Sequence, residues 1–240
     1  MQQDNKMPFT SHLVELRKRL IVSVIAVTIG FAASYYYSKE LFMLLAKPLP
    51  TNTSFAFTRL IEPFFTYLKV SVLAGIFLAS PVLIHEVWVF VAPGLHEHER
   101  KWFWPIVVSS SILFIGGVIF GYYLVLPFGY SYFLSFSSDT VKPMLSMDEY
   151  FSFTTKFLLA FGLVFEMPLF ILFLSLLGII NAKMLSAYRK YAIVAIFIIA
   201  AVLTPTPDAF SQILMAIPML IFYEIGIILA KVYGKKEPSQ

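Results

Sequence analysis

Six stretches of the chain run almost without charge: Leu20 to Tyr37, Val70 to Val91, Trp102 to Pro127, Phe157 to Ala182, Tyr191 to Thr204 and Ala209 to Ala230. Between them lie segments that hold most of the lysines, arginines and prolines. About 20 apolar residues, rising 1.5 Å each, cross a hydrocarbon core of roughly 30 Å. The pattern therefore predicts an all-α integral membrane protein with six transmembrane helices in a single domain, residues 1–240. The fifth and sixth spans are expected to be short. From Tyr191 to Leu203 the fifth offers about 20 Å of helix before Thr204-Pro205-Thr206-Pro207 stops it. A start nearer Ser186, with Arg189 and Lys190 reaching back to the interface, would lengthen it.

Charge sets the orientation. With the N-terminus inside, the inner flanks receive Lys6, Arg17, Lys18, Arg19, Arg100, Lys101, Lys183, Arg189, Lys190, Lys231, Lys235 and Lys236. The outer ones receive Lys39, Lys47, Arg59, Lys69, Lys142 and Lys156. Basic short loops resist translocation, so both termini are expected in the cytoplasm. The net charge of +4 then reflects membrane flanks, and no nucleic-acid partner is called for. The loops from Ser38 to Lys69 and from Phe128 to Tyr150 face outside; "ELFMLLAKPL" and "IEPFFTYLKV" within the first read as interfacial helices capping a concave bundle. Gly117-x-x-x-Gly121 marks a candidate close contact between helices.

Composition agrees with this and narrows the chemistry. Hydrophobic residues make up 59% and charged residues 13%, about half the charge of a soluble domain. There is no cysteine, and four scattered histidines leave little for a metal cluster, so no cofactor is expected. In "SHLVELRKRL", Ser11 can cap a helix that places Glu15 and Arg19 one turn apart; by itself that is a surface ion pair. "APGLHEHERK" lacks the H-E-x-x-H spacing of a metallopeptidase.

Taken together, four motifs carry a resemblance over nearly the whole chain. "HLVELRKRL" before the first span, "VWVFVAPGLHEHER" closing the second, "FGLVFEMP" in the fourth and "LTPTPDAFSQ" before the sixth resemble the TatC family, the membrane core of twin-arginine protein export. The resemblance implies a receptor and not an enzyme. It implies binding of signal peptides with adjacent arginines, partnership with single-span proteins of the TatA and TatB type, and export of folded cargo driven by the proton-motive force. The bilayer and a further copy of the chain are also candidate partners. By resemblance Glu15 and Glu99 bind the two arginines, a role that suits them because guanidinium is a planar fork matched to carboxylate. Arg17 is expected to orient Glu15, and Phe90 to receive the apolar part of the peptide. The family's "LTPPD" turn stands here as "LTPTPD", one residue longer, which leaves the register of Thr204 and Asp208 open.

One residue stands apart. Within "KFLLAFGLVFEMPLFILFLSLLGII", Glu166 interrupts a run that is otherwise apolar, two residues before Pro168. A carboxylate at a span centre costs about 2.5–3.5 kcal/mol, so it is expected to face protein or water. Pro168 cannot donate to the Val164 carbonyl, so a bent or hydrated patch is expected there. By resemblance Glu166 faces a groove where a partner helix docks, with Thr204 and Gln212 extending the polar face. The alternative reading is a proton-coupled secondary transporter or channel using Glu166; that class ordinarily shows further midplane polar groups or paired broken helices. An intramembrane hydrolase would need a second deep group, and His85, Glu86 and Glu224 read as lying toward span ends.

Overall fold

A computed structural model describes residues 9–49, 55–57, 59–91, 103–138, 143–204 and 208–234. Helix α1 (Phe9–Tyr36) leads through a sharp turn into α2 (Ser38–Ala46). A two-residue strand, β1 (Phe55–Ala56), precedes α3 (Glu62–Val91). Next come α4 (Phe103–Phe120), a π-helical turn over Gly121–Val125, and α5 (Leu126–Leu134), which together form one continuous span. Strand β2 (Leu145–Ser146) pairs in parallel with β1 and opens α6 (Met147–Phe165), which continues as α7 (Met167–Leu176). A short α8 (Ala182–Ala187), then α9 (Arg189–Leu203) and α10 (Ala209–Tyr233), complete the chain.

By length and apolarity five of these passes can cross a membrane alone: α1, α3, α4–α5, α6–α7 and α10. The fifth pass in chain order, α9, has 15 residues, about 22 Å of helix, and is short as expected. The sixth is not: α10 has 25 residues and continues through Pro218. Its start is fixed by Asp208, whose carboxylate accepts from the Ser211 backbone N–H at 2.7 Å, a standard helix N-cap. Thr204 closes α9, and residues 205–207 lie outside the described set. Six passes leave both described ends on one face, hereafter the terminal face.

Burial identifies α6–α7 as the central pass: 61% of its most apolar window is buried, against 11% for α1. Phe151, Phe157, Phe161 and Leu158 of this pass are fully enclosed. Lipid offers helices little hydrophobic reason to associate, so close packing carries the bundle, and glycines are where backbones approach most closely. A Cβ on Gly117 would stand 2.5 Å from the Phe161 carbonyl oxygen, and one on Gly121 would meet Phe161 and Leu158 at 3.3 Å. The Gly117/Gly121 contact read from the sequence thus seats α4 on α6. Among the residues of α1 whose burial is described, only Gly30 and Ser34 are buried, one turn apart, and Gly30 packs on Gly75 of α3.

On the opposite face "ELFMLLA" forms α2, which packs under the bundle and is held by the Tyr150 hydroxyl donating to the Leu45 carbonyl at 2.7 Å. By contrast "IEPFFTYLKV" is not a separate interfacial helix but the first turns of α3. Pro63 stands in the first turn of that helix, where its missing N–H costs nothing. Glu62 is buried and accepts from the Ser146 hydroxyl at 3.0 Å, the Asp148 N–H at 2.9 Å and the Arg59 N–H at 3.3 Å. It thereby clasps the start of α3 to the start of α6. At the other end α7 stops at Gly178, whose φ of 73° few other residues adopt. The Ile179 and Gly178 N–H groups turn back to Leu174 and Ser175, closing a Schellman cap.

Candidate functional site

Two polar clusters of the described residues include candidates singled out from the sequence. The first is near the terminal face, between the second half-turns of α1 and the last turns of α3. Glu15 and Arg19 share one side of α1 because four residues make roughly one turn. Arg19 donates through one terminal nitrogen to Glu15 Oε1 at 3.2 Å and through the other to Glu86 Oε2 at 3.1 Å. The second Glu86 oxygen lies 3.2 Å from His85 Nδ1. Glu86 is only 6% exposed, whereas the side chain of Glu15 retains 22% exposure. Arg19 Nε is buried and has no hydrogen-bond partner among the described residues. One guanidinium is therefore divided between two carboxylates, each held through a single nitrogen.

Nearer the start of α1, His12 stacks on Phe90, ring centroids 4.3 Å apart, which pins that start to the end of α3. Phe90 is half-buried at the border of this cluster. Arg17 is exposed, on a different side of α1 from Arg19. Glu99 lies outside the described residues.

The second site is inside the bundle. The break expected at Pro168 is present: α6 ends at Phe165, and Glu166 sits at the joint with α7. The Glu166 N–H turns to Leu163 in a tightened turn, while its own carbonyl accepts from Phe170 at 2.9 Å. Its side chain accepts a hydrogen bond from the Ser110 hydroxyl of α4, and Ser110 in turn accepts from the Trp88 indole N–H of α3 at 3.1 Å. Three passes thus converge on one carboxylate. Glu166 Oε1 is buried without a hydrogen-bond partner among the described residues. Around it opens an apolar groove of about 390 Å³ between α3, α4 and α6–α7, lined by Ile76, Leu83, Val87, Phe114, Leu163 and Phe170 among others.

The groove does not include Thr204 or Gln212. The Thr204 hydroxyl donates to the Ala200 carbonyl at 2.9 Å, and the Gln212 amide donates to the Phe197 carbonyl at 2.8 Å. The first closes the last turn of α9, and only the second ties α10 to α9.

Three residues of these sites were not singled out from the sequence as polar partners. Ser110 and Trp88 complete the Glu166 network; the run Ser109-Ser110-Ser111 within an apolar span was the available signal. Glu86 read as a charge near a helix end, yet it is buried against Arg19, a residue 67 positions away. No local pattern reports that pairing.

Comparison with known proteins follows the geometry. The family model described as "Sec-independent protein translocase protein (TatC)" matches residues 11–218. A protein named Sec-independent protein translocase protein TatC in Desulforapulum autotrophicum is 49% identical over 99% of this chain and 89% of its own length. Its namesake in Escherichia coli is 36% identical over 98% of this chain and 93% of its own. A crystal structure described as the twin arginine translocase receptor TatC superposes with a TM-score of 0.81 at 40% identity, covering 91% of this chain and 97% of the other.

Proposed function

The chain belongs to the TatC family of Sec-independent protein translocase proteins, and from that premise we propose that its terminal face receives twin-arginine signal peptides while the Glu166 groove docks a single-span partner. Membership makes it a membrane component of protein transport and not an enzyme. The terminal face is the cytoplasmic one, as the basic flanks require.

The observation that carries this reading is the state of Glu15. Its carboxylate already holds a guanidinium, that of Arg19, in a partly exposed setting at the mouth of the α1–α3 seam. A group built to accept one arginine through a single nitrogen can accept another, and Oε2 is the oxygen left for it. Glu99, eight residues after the end of α3 in sequence, supplies the carboxylate for the second arginine. Exposed Arg17, on another side of α1 from Glu15, faces the anionic leaflet instead of orienting that carboxylate, and the Phe90–His12 stack offers an aromatic platform to the apolar part of the peptide. Proton-motive force is the energy source that the family resemblance supplies.

The groove around Glu166 supports the partner half of the reading. An apolar channel with one unsatisfied carboxylate oxygen suits a helix that is apolar except for a single hydrogen-bond donor, as a single-span TatA- or TatB-type protein can present. Gln212 ties α10 to α9, Thr204 caps α9, and neither lines the groove.

Binding decides the matter. Purified protein in detergent is titrated with a fluorescent peptide carrying Arg-Arg and with the same peptide carrying Lys-Lys. The wild-type chain should prefer Arg-Arg, and Glu15→Lys or Glu99→Lys should abolish that binding without loss of helix content. Normal binding by Glu15→Lys rules the assignment out.

A further inference from the structure

The charges of the α1–α3 cluster do not balance. Two carboxylates, Glu15 and Glu86, share the single guanidinium of Arg19. Neither is gripped in the two-nitrogen fork that arginine and carboxylate prefer. Arg19 Nε, the nitrogen that a side-on fork would use, is buried and idle among the described residues. His85 faces Glu86 from the same helix, and no other charged group of the described residues is recorded in contact with the three.

We propose that Arg19 is a built-in stand-in for the arriving arginine, and that Glu86 is the buried carboxylate onto which Arg19 retires when a ligand guanidinium takes Glu15. The proposal rests on the reading of Glu15 as an arginine acceptor and adds the residue that makes the acceptor exchangeable. The geometry suits an exchange. Glu86 is enclosed and fixed, so it cannot follow a ligand outward. Glu15 is partly exposed and can. Arg19 lies between them, one terminal nitrogen already on each. When Glu15 lets go, a small rotation brings Nε or the freed nitrogen to Glu86 and completes a fork. The guanidinium lost to Glu15 is thus regained at Glu86, and no charge is stranded in the apolar seam at any step. A site that held Glu15 empty would leave a partly buried carboxylate unpaired; a site without Glu86 would leave Arg19 no second home.

Substitution separates this exchange from a simple staple between helices. Glu86→Gln locks Arg19 onto Glu15, and the Arg-Arg peptide should bind about tenfold more weakly, in keeping with the coupling of neighbouring charges. Arg19→Gln combined with Glu86→Gln removes one charge of each sign, leaves the net charge as it was and clears the enclosed part of the seam of charge, with Glu15 alone remaining at its partly exposed rim. Glu15 then stands without a competitor, and the peptide should bind severalfold more tightly than to wild type. Binding by the double variant at or below the wild-type level overturns the exchange: Glu86 would then act as a direct ligand contact, a remote charge or a staple. A third variant keeps the two readings apart. Glu15→Gln placed in the double background should abolish binding; if binding persists, it is the assignment of Glu15 as acceptor that fails.

Discussion

Two consecutive glycines in α4 provide a sharp test of the packing. A Cβ on Gly117 would lie 2.5 Å from the Phe161 carbonyl oxygen of α6 and within 3.0 Å of the Phe165 side chain; a Cβ on Gly116 would meet nothing within 4 Å. Ordinary contact needs about 3.5 Å, so at Gly117 the helices must part by about 1 Å or the backbone must bend. Phe161 is fully buried and its carbonyl belongs to the central helix, so it has nowhere to go. Overpacking of this kind costs about 1–3 kcal/mol. Replacing glycine by alanine in a helix also returns up to about 1 kcal/mol of backbone entropy, but that gain is the same at both positions and cancels between them. Gly117→Ala should therefore be less stable than Gly116→Ala by about 1–3 kcal/mol, with Gly116→Ala at or slightly above wild type. Thermal unfolding in one detergent, followed by helix content, provides the comparison. Equal melting of the two variants, or the reverse order, would refute the placement of α4 against α6.

Glu166→Ala should weaken or shift crosslinks to a single-span partner and lower export while leaving peptide binding intact, since a hydrogen bond between spans is worth only about 0.6–2 kcal/mol. Glu166→Gln retains hydrogen bonding to Ser110 and should keep more function than Ala; if the two are equally defective with crosslinks unchanged, ionisation and not docking is the role of this group. On the opposite face, Glu62→Ala removes three described hydrogen bonds to a buried carboxylate and should lower stability by about 2–3 kcal/mol. Asp148→Asn, which breaks only the exposed pair with Lys69, should cost less than about 1 kcal/mol, and a thermal melt that reversed this order would contradict the clasp.

The spans were legible because length and apolarity are local quantities that the bilayer imposes residue by residue. Their ends were less so. Helix α3 starts eight residues before the expected Val70 because Pro63 and Lys69 look like interruptions in one dimension, while in the fold they occupy a first turn and a polar rim. Helix α6 starts ten residues before the expected Phe157 for a reason that was readable: Ser146 caps the Glu149 N–H in a Ser-x-x-Glu arrangement. The break at Glu166 followed from Pro168, a covalent fact. What escaped was pairing at a distance. That Arg19 meets Glu86, that Ser110 meets Glu166, and that Gly30 meets Gly75 are properties of how passes lie together, and no spacing along the chain encodes them.

The Glu62 clasp has a consequence for how the protein is made. Its acceptors wait for a hydroxyl and an N–H that lie 84 and 86 residues further along the chain. At a synthesis rate of about 5–20 residues per second, that interval lasts roughly 4–17 s. For that time the first strand has no partner to pair with, and a carboxylate that ends up buried stands in water. Only when the fourth pass is threaded do both close in one event, because β2 and the capping turn of α6 are adjacent residues. Insertion of the first three passes therefore cannot mature on its own. The far face of the protein reports, by whether it is closed, that the nascent chain has been synthesised past its midpoint and that the central helix is in place.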